Sequence, residues 1–135
     1  MKVFLLGATG NLGSRLIPAL LAHNHSVVAY VRSPSKLQSI LPATICENIT
    51  VIQGDAADSQ AIKQAILETG CDAVVNTAGV AALAPWAKSD LPAIVRAVVE
   101  AVREVGILRS RPLKVWVLGG QGVLFYPGTR VMLSK

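Results

Sequence analysis

Gly7-Ala8-Thr9-Gly10-Asn11-Leu12-Gly13 follows the apolar run Val3-Phe4-Leu5-Leu6 and precedes Leu12, Leu16, Ala19 and Leu20 at helical spacing. A strand, a glycine turn and a helix, in that order, form the setting in which G-x-x-G-x-x-G carries meaning. Glycines let the backbone turn tightly, approach a pyrophosphate and seat the helix against the strand. The helix start adds unpaired N–H groups and a positive dipole end. The pattern predicts a dinucleotide site in which Gly7, Thr9, Gly10, Asn11, Leu12 and Gly13 take part. A P-loop would need Gly-Lys followed by Ser or Thr, and here Gly13 runs into Ser14-Arg15, which excludes it. An ordinary glycine-rich turn is the remaining competitor, and motifs further along the chain weigh against it.

A site that prefers NAD places an Asp or Glu about 20 residues beyond the glycines, where it holds the ribose 2′-hydroxyl. No acidic residue precedes Glu47 in this chain. The second strand expected at residues 26–31 instead runs into Arg32-Ser33-Pro34-Ser35-Lys36. A guanidinium offers a planar fork to a phosphate, and a hydroxyl and backbone N–H groups can complete the cradle. Arg32, Ser33 and Lys36 therefore point to NADP rather than NAD. The bland alternative for Arg32 is a solvated loop cation.

With 135 residues, of which 52% are hydrophobic and only 16% charged, the chain can bury one proper core. A single domain over residues 1–135 is expected, and disorder is excluded. The longest apolar stretch, around residues 73–87, is broken by Asn76 and Pro85 and is too short to span a bilayer. Met1-Lys2-Val3 enters a strand without a leader pattern, so a cytoplasmic location is the expectation. The net charge of +5 is spread along the chain, apart from Arg109-Ser110-Arg111, and no nucleic-acid motif accompanies it. That balance suits a pocket for a polyanionic dinucleotide. Cys46 and Cys71 lack metal or redox spacing, and His23 and His25 have no third ligand, so no metal site is expected.

Strands and helices alternate throughout. Helices are expected over residues 11–22, with Pro18 bending the first, and from a Ser33-Pro34 start carrying Leu37 and Ile40. Another begins at an Asp58 cap and stops at Gly70. A longer one over residues 90–105 has Ile94, Val95, Val98, Val99 and Val102 toward the sheet and ends at Gly106. Strands are expected at residues 2–6, 26–31, 49–53, 72–76 and 114–118. Their continuous apolar character fits parallel strands covered on both faces. The fold class is therefore α/β, a Rossmann-like doubly wound parallel sheet of order 3-2-1-4-5 with helices on both faces. Ligands bind at the carboxyl ends of such strands, beside the switch point between the first and fourth. Meeting there are the glycine turn, Arg32-Ser33, Gly54-Asp55-Ala56 and Asn76-Thr77-Ala78-Gly79.

These residues together resemble the short-chain dehydrogenase/reductase superfamily, in its atypical and extended branches of NmrA-like and NAD-dependent epimerase-like proteins. Gly7-Ala8-Thr9-Gly10-Asn11-Leu12-Gly13 matches their cofactor fingerprint. Gly54-Asp55 is similar to their acidic residue facing the adenine, with Ala56 beside it. Asn76-Thr77-Ala78-Gly79 resembles the N-x-A-G element that steadies the sheet next to the cofactor. Asp55 also fits an ordinary strand-end turn, and Asn76 a turn-capping amide.

The departure concerns chemistry. Active members carry a Tyr-x-x-x-Lys pair on a helix after the fifth strand, with a Ser or Thr assisting. Here that strand leads into Gly119-Gly120-Gln121-Gly122, and Tyr126 is followed by Pro127-Gly128 with Arg130 in the lysine position. Arginine does not deprotonate and is a poor substitute. Tyr126 reads mainly as a packing or loop residue, and no catalytic residue is assigned. Family members continue with a helix, a sixth strand and a substrate-binding region. Val131-Met132-Leu133-Ser134-Lys135 reads as the start of that helix, so the substrate part is expected to be missing. An uncovered C-terminal sheet edge would then invite a second copy or a partner protein. The expected function is an NADP(H)-binding domain of an oxidoreductase or epimerase acting on an unnamed small molecule. The alternative is a non-catalytic, NmrA-like NADP sensor.

Overall fold

Residues 1–78 and 91–117 are described in a computed structural model. The strands are β1 (Lys2–Leu6), β2 (Ser26–Val31), β3 (Thr50–Gln53), β4 (Ala73–Asn76) and β5 (Lys114–Val117). They form one sheet of order β3-β2-β1-β4-β5. Every pairing is parallel. The chain winds outward through β1, β2 and β3, then crosses back so that β4 lies on the other side of β1. A right-handed crossover on each side puts helices on both faces. Register brings the strand ends level, with Leu6 opposite Tyr30 and Asn76, and Val31 opposite Gln53.

Side chains alternate between two cores, as the two-residue strand period requires. Phe4, Leu6, Val28, Tyr30 and Val74 share one face with Ile62 and Ile66 of α4 (Ser59–Thr69) and with Ile94 and Val98 of α5 (Leu91–Arg109). The rings of Phe4 and Tyr30 meet there with centroids 5.3 Å apart. Leu5, Val27, Ala29 and Val31 share the other with Ile17 of α1 (Asn11–Ala22) and Leu37 of α2 (Pro34–Ile40). Cover on both faces holds for β1, β2 and β4. The edge strands depart from the continuous burial expected: Thr50 and Gln53 are exposed, as are Trp116 and Val117. An edge strand has one neighbour, and less of each face lies under a helix.

Local signals explain most element ends. The Ser33 hydroxyl accepts from the Lys36 N–H, and Pro34 opens α2. Asp58 caps α4 through the Ala61 N–H, and Gly70 closes it at φ +68°. Pro18 lies inside an otherwise continuous α1. The single-turn α3 (Ala43–Cys46), which follows Pro42, is too short to leave a periodic signal and was not expected.

Gly106 does not end the long helix. α5 runs through it to Arg109, and Ser110 takes the left-handed conformation at φ +56°. The Ser110 N–H donates to Ile107 and the Arg111 N–H to Gly106, the paired bonds of a Schellman ending. Serine fills the place where glycine is the usual signal. Val99 is half exposed rather than sheet-facing, while Ile94, Ala97, Val98, Ala101 and Val105 are buried. Leu12 and Ile40 are likewise exposed. No helix among the described residues is long and apolar enough to cross a membrane.

Candidate functional site

Above the carboxyl ends of β1, β2, β3 and β4 lies a cleft of about 450 Å³. The glycine turn forms its floor. Gly7 sits at φ +80°, and a Cβ there would come within 2.5 Å of the Ala78 nitrogen and 2.6 Å of the Thr77 hydroxyl. A side chain on Gly13 would run into the Gly7 carbonyl. Both glycines are thus required by protein packing alone. Gly10 differs. Its φ of −79° is open to any residue, and a Cβ would meet only the Gly7 oxygen, at 3.3 Å. A side chain at Gly10 therefore carries no φ penalty and meets only that one tight contact. What remains for Gly10 is its place on the wall of the cleft.

The turn is fixed from below by the β4 loop. The Thr77 N–H donates to the Leu6 carbonyl at 3.0 Å. The Thr77 hydroxyl donates to the same oxygen at 2.8 Å and lies 3.2 Å from the Gly7 oxygen. Asn76 is fully buried. Its Oδ1 accepts from the Ala78 N–H at 3.0 Å, and its Nδ2 has no partner among the described residues. A turn-capping role for Asn76 is thus realised in the structure.

Within the glycine turn, the Gly10 N–H donates to Gly7 and the Ser14 N–H to Gly10. No side chain caps α1, and no acidic residue stands in its first turn. The N–H groups of Asn11, Leu12 and Gly13 are then the unpaired donors every helix start presents. A phosphate fits this arrangement, because it satisfies those donors and meets the positive dipole end without a competing carboxylate.

The β2 side of the cleft carries Arg32, Ser33 and Lys36. No Asp or Glu is among the described lining residues. Gln53 Nε2 donates to the Arg32 carbonyl at 3.4 Å, which ties the start of this loop to β3. The β3 side presents Gly54 and Ala56. Asp55 is exposed and does not line the cleft. Its Oδ1 accepts from the Ala57 N–H at 2.9 Å, as a strand-end turn residue does. Its carbonyl accepts from the Tyr30 hydroxyl at 3.0 Å. Burial, followed by the nearby Asp58 and Asp55 carboxylates, pushes the Tyr30 phenol above its ordinary pKa and keeps it a neutral donor.

The cleft thus gathers Gly7, Thr9, Gly10, Arg32, Ser33, Lys36, Gly54, Ala56, Thr77 and Ala78 from the residues singled out in the sequence. Asn11, Leu12, Gly13, Asp55 and Asn76 stand beside it without lining it. Gly79, Tyr126 and Arg130 lie outside the described residues. Ala8, Tyr30, Val31 and Ile94 line the cleft and were not anticipated there. The two-residue alternation of β2 puts Tyr30 on the Phe4 face, and only the pairing of β2 with β3 brings it to Gly54. Among the described residues no group of three His, Cys, Asp or Glu side chains could hold a metal ion.

A family model described as NAD(P)H-binding matches residues 7–111, and the chain belongs to that family. Its relatives make it an epimerase-type Rossmann domain of the short-chain dehydrogenase/reductase kind. The "Uncharacterized sugar epimerase YhfK" of Bacillus subtilis is 33% identical over 114 residues, 81% of this chain and 50% of that protein. A chloroplastic "Epimerase family protein SDR39U1 homolog" of Arabidopsis thaliana is 36% identical over 86 residues, 64% of this chain and 23% of the relative. Among solved structures, WbmH of Bordetella bronchiseptica in complex with NAD+ is 26% identical, with a TM-score of 0.59. That match covers 78% of this chain and 36% of WbmH. The chain spans half or less of the length of these relatives. A nicotinamide dinucleotide is the cofactor class that the family and its neighbours define.

Proposed function

We propose that the cleft binds NADP(H) in preference to NAD(H). The observation that carries this reading is the loop after β2. Arg32, Ser33 and Lys36 line the cleft there, and no carboxylate is among the described lining residues. An NAD site needs an acceptor for the ribose 2′-hydroxyl at this place; a 2′-phosphate needs donors and positive charge. Arg32 and Lys36 supply the charge, and the Ser33 hydroxyl a further donor. The glycine turn and the start of α1 receive the pyrophosphate. Thr77 and Ala78 border the path of the nicotinamide half. The cofactor, when bound, supplies a hydride donor or acceptor, while the chain's own residues hold and orient it.

The whole protein, on this reading, is an oxidoreductase or epimerase of the atypical short-chain branch, and this chain is its cofactor domain. A second reading has a specific observation behind it. Tyr126 stands before Pro127-Gly128 and has Arg130 in place of a lysine, so residues 126–130 do not supply the proton-handling pair of active enzymes. That favours a non-catalytic protein that senses NADP and regulates a partner. An assay of NADPH oxidation over a panel of carbonyl and sugar substrates, run on the full gene product, separates them. Turnover with any substrate supports the enzyme; tight NADPH binding without turnover supports the sensor.

A further inference from the structure

Resting on the reading of the cleft as an NADP(H) site, we infer that Tyr30 is a positioning residue for the adenosine half of the cofactor. It acts through the backbone turn of residues 54–56. The 2′-phosphate belongs to the adenosine ribose. If Arg32 receives it, that ribose lies over the end of β2 and the base extends over β3. The next backbone on that side is the turn of Gly54 and Ala56, both of which line the cleft.

Three hydrogen bonds from backbone N–H groups shape this turn. The Gly54 N–H donates to Val31 at 2.9 Å, the Asp58 N–H to Asp55 at 3.1 Å, and the Ala57 N–H to the Asp55 carboxylate at 2.9 Å. The first anchors the start, and the other two act within the turn and set its curl. None ties the Asp55 peptide to the rest of the sheet. The Tyr30 hydroxyl does so, by donating to the Asp55 carbonyl at 3.0 Å. Tyr30 is only 3% exposed and its ring is held against Phe4, so the hydroxyl is a fixed post. Gly54 fits over that post because it lacks a side chain. A Cβ there would occupy the space of the tyrosine hydroxyl. Tyr30 is too buried to act as a stacking platform. Its contribution is the height of the wall that the base must lie against.

The test measures dissociation constants for NADPH and for adenosine 2′,5′-bisphosphate, which is the adenosine half alone. The proteins are the wild-type chain, Tyr30→Phe and Gly54→Ala, with melting temperatures recorded in parallel. Tyr30→Phe removes one hydroxyl and keeps the ring. It should weaken both ligands by the same factor, about three- to tenfold, the range for one neutral hydrogen bond. Gly54→Ala should do likewise by displacing the hydroxyl from Asp55. Equal affinity of Tyr30→Phe and wild type for the bisphosphate overturns the inference and leaves the NADP(H) reading standing. So does a loss seen with NADPH alone, or a fall in melting temperature with affinity unchanged below the transition. Wild-type protein that binds neither ligand overturns the NADP(H) reading, and this inference with it.

Discussion

Gly13 lies so close beneath the Gly7 carbonyl that a methyl group on Gly13 would overlap that backbone. The first and last glycines of the motif are thus locked to each other, and α1 leaves the turn at the one angle their contact permits. Gly7 is bound a second time, through its left-handed φ and its approach to Thr77 and Ala78. Gly10 has no such constraint. The three glycines therefore separate into two that build the fold and one, on the wall of the cleft, that the fold leaves largely free.

That separation is measurable. Gly13→Ala forces a backbone shift in a packed region and should cost about 1–3 kcal/mol of stability by urea denaturation. Gly7→Ala should cost a similar amount, since a left-handed φ alone costs about 1–2 kcal/mol outside glycine. Gly10→Val should leave the circular dichroism spectrum unchanged and abolish dinucleotide binding. Retained NADPH affinity in Gly10→Val would make the loop a structural turn only.

Arg109 predicts a second stability effect. Its guanidinium donates to the Cys71 carbonyl at 2.5 Å and to the Ile66 carbonyl at 3.2 Å. It thereby joins the end of α5 to the end of α4 and the approach to β4. Hydrogen bonds from a charged donor contribute about 1.5–3 kcal/mol, and Arg109→Ala should destabilise by that order. Arg109→Lys should recover only part, because an ammonium lacks the planar fork. A denaturation midpoint for Arg109→Ala equal to wild type would contradict this.

Asp72 makes a small acid-sensitive contribution. Its carboxylate accepts from the Lys2 N–H at 3.0 Å and lies 3.7 Å from Arg111. The Lys2 bond is the main cause that lowers its pKa, with burial opposing and Arg111 adding to the lowering. A carboxylate whose folded pKa is depressed stabilises the fold above its unfolded value, near 3.9. That stabilisation is lost as pH falls through the lower, folded value. Thermal melts of Asp72→Asn should therefore lie below wild type at neutral pH and converge with it in acid. The side chain is largely exposed, so the gap should be small. A gap that persists unchanged in acid would exclude the ionic origin.

Sequence signals that act within a few residues were legible: the Ser33 and Asp58 caps, the Gly70 stop and the glycine turn. So was the strand order, because it follows from alternating elements and crossover handedness. Gly106 misled because a helix end needs one left-handed residue, and Ser110 took that conformation while Gly106 stayed helical. Val99 misled because an apolar residue on a long helix does not reveal which side the sheet covers. In the site, the glycines and the Arg32 loop were legible from spacing. Tyr30 was not, since its place in the cleft depends on the parallel register that sets β2 beside β3. The difference between Gly10 and its two partners was equally hidden, because it lies in φ angles and backbone distances.

On the proposed NADP(H) reading, donors and positive charge at the end of β2 select the 2′-phosphate. Parallel titrations of the wild-type chain and Arg32→Ala with NADPH and NADH, followed by nicotinamide fluorescence, test it most directly. The wild type should bind NADPH more tightly, and Arg32→Ala should shrink that preference by about 1–3 kcal/mol, the range for charge-assisted hydrogen bonds. NADH affinity should change little. Equal affinity of the wild type for the two cofactors, or a preference that survives the loss of Arg32 intact, would overturn the assignment of NADP(H) to this cleft.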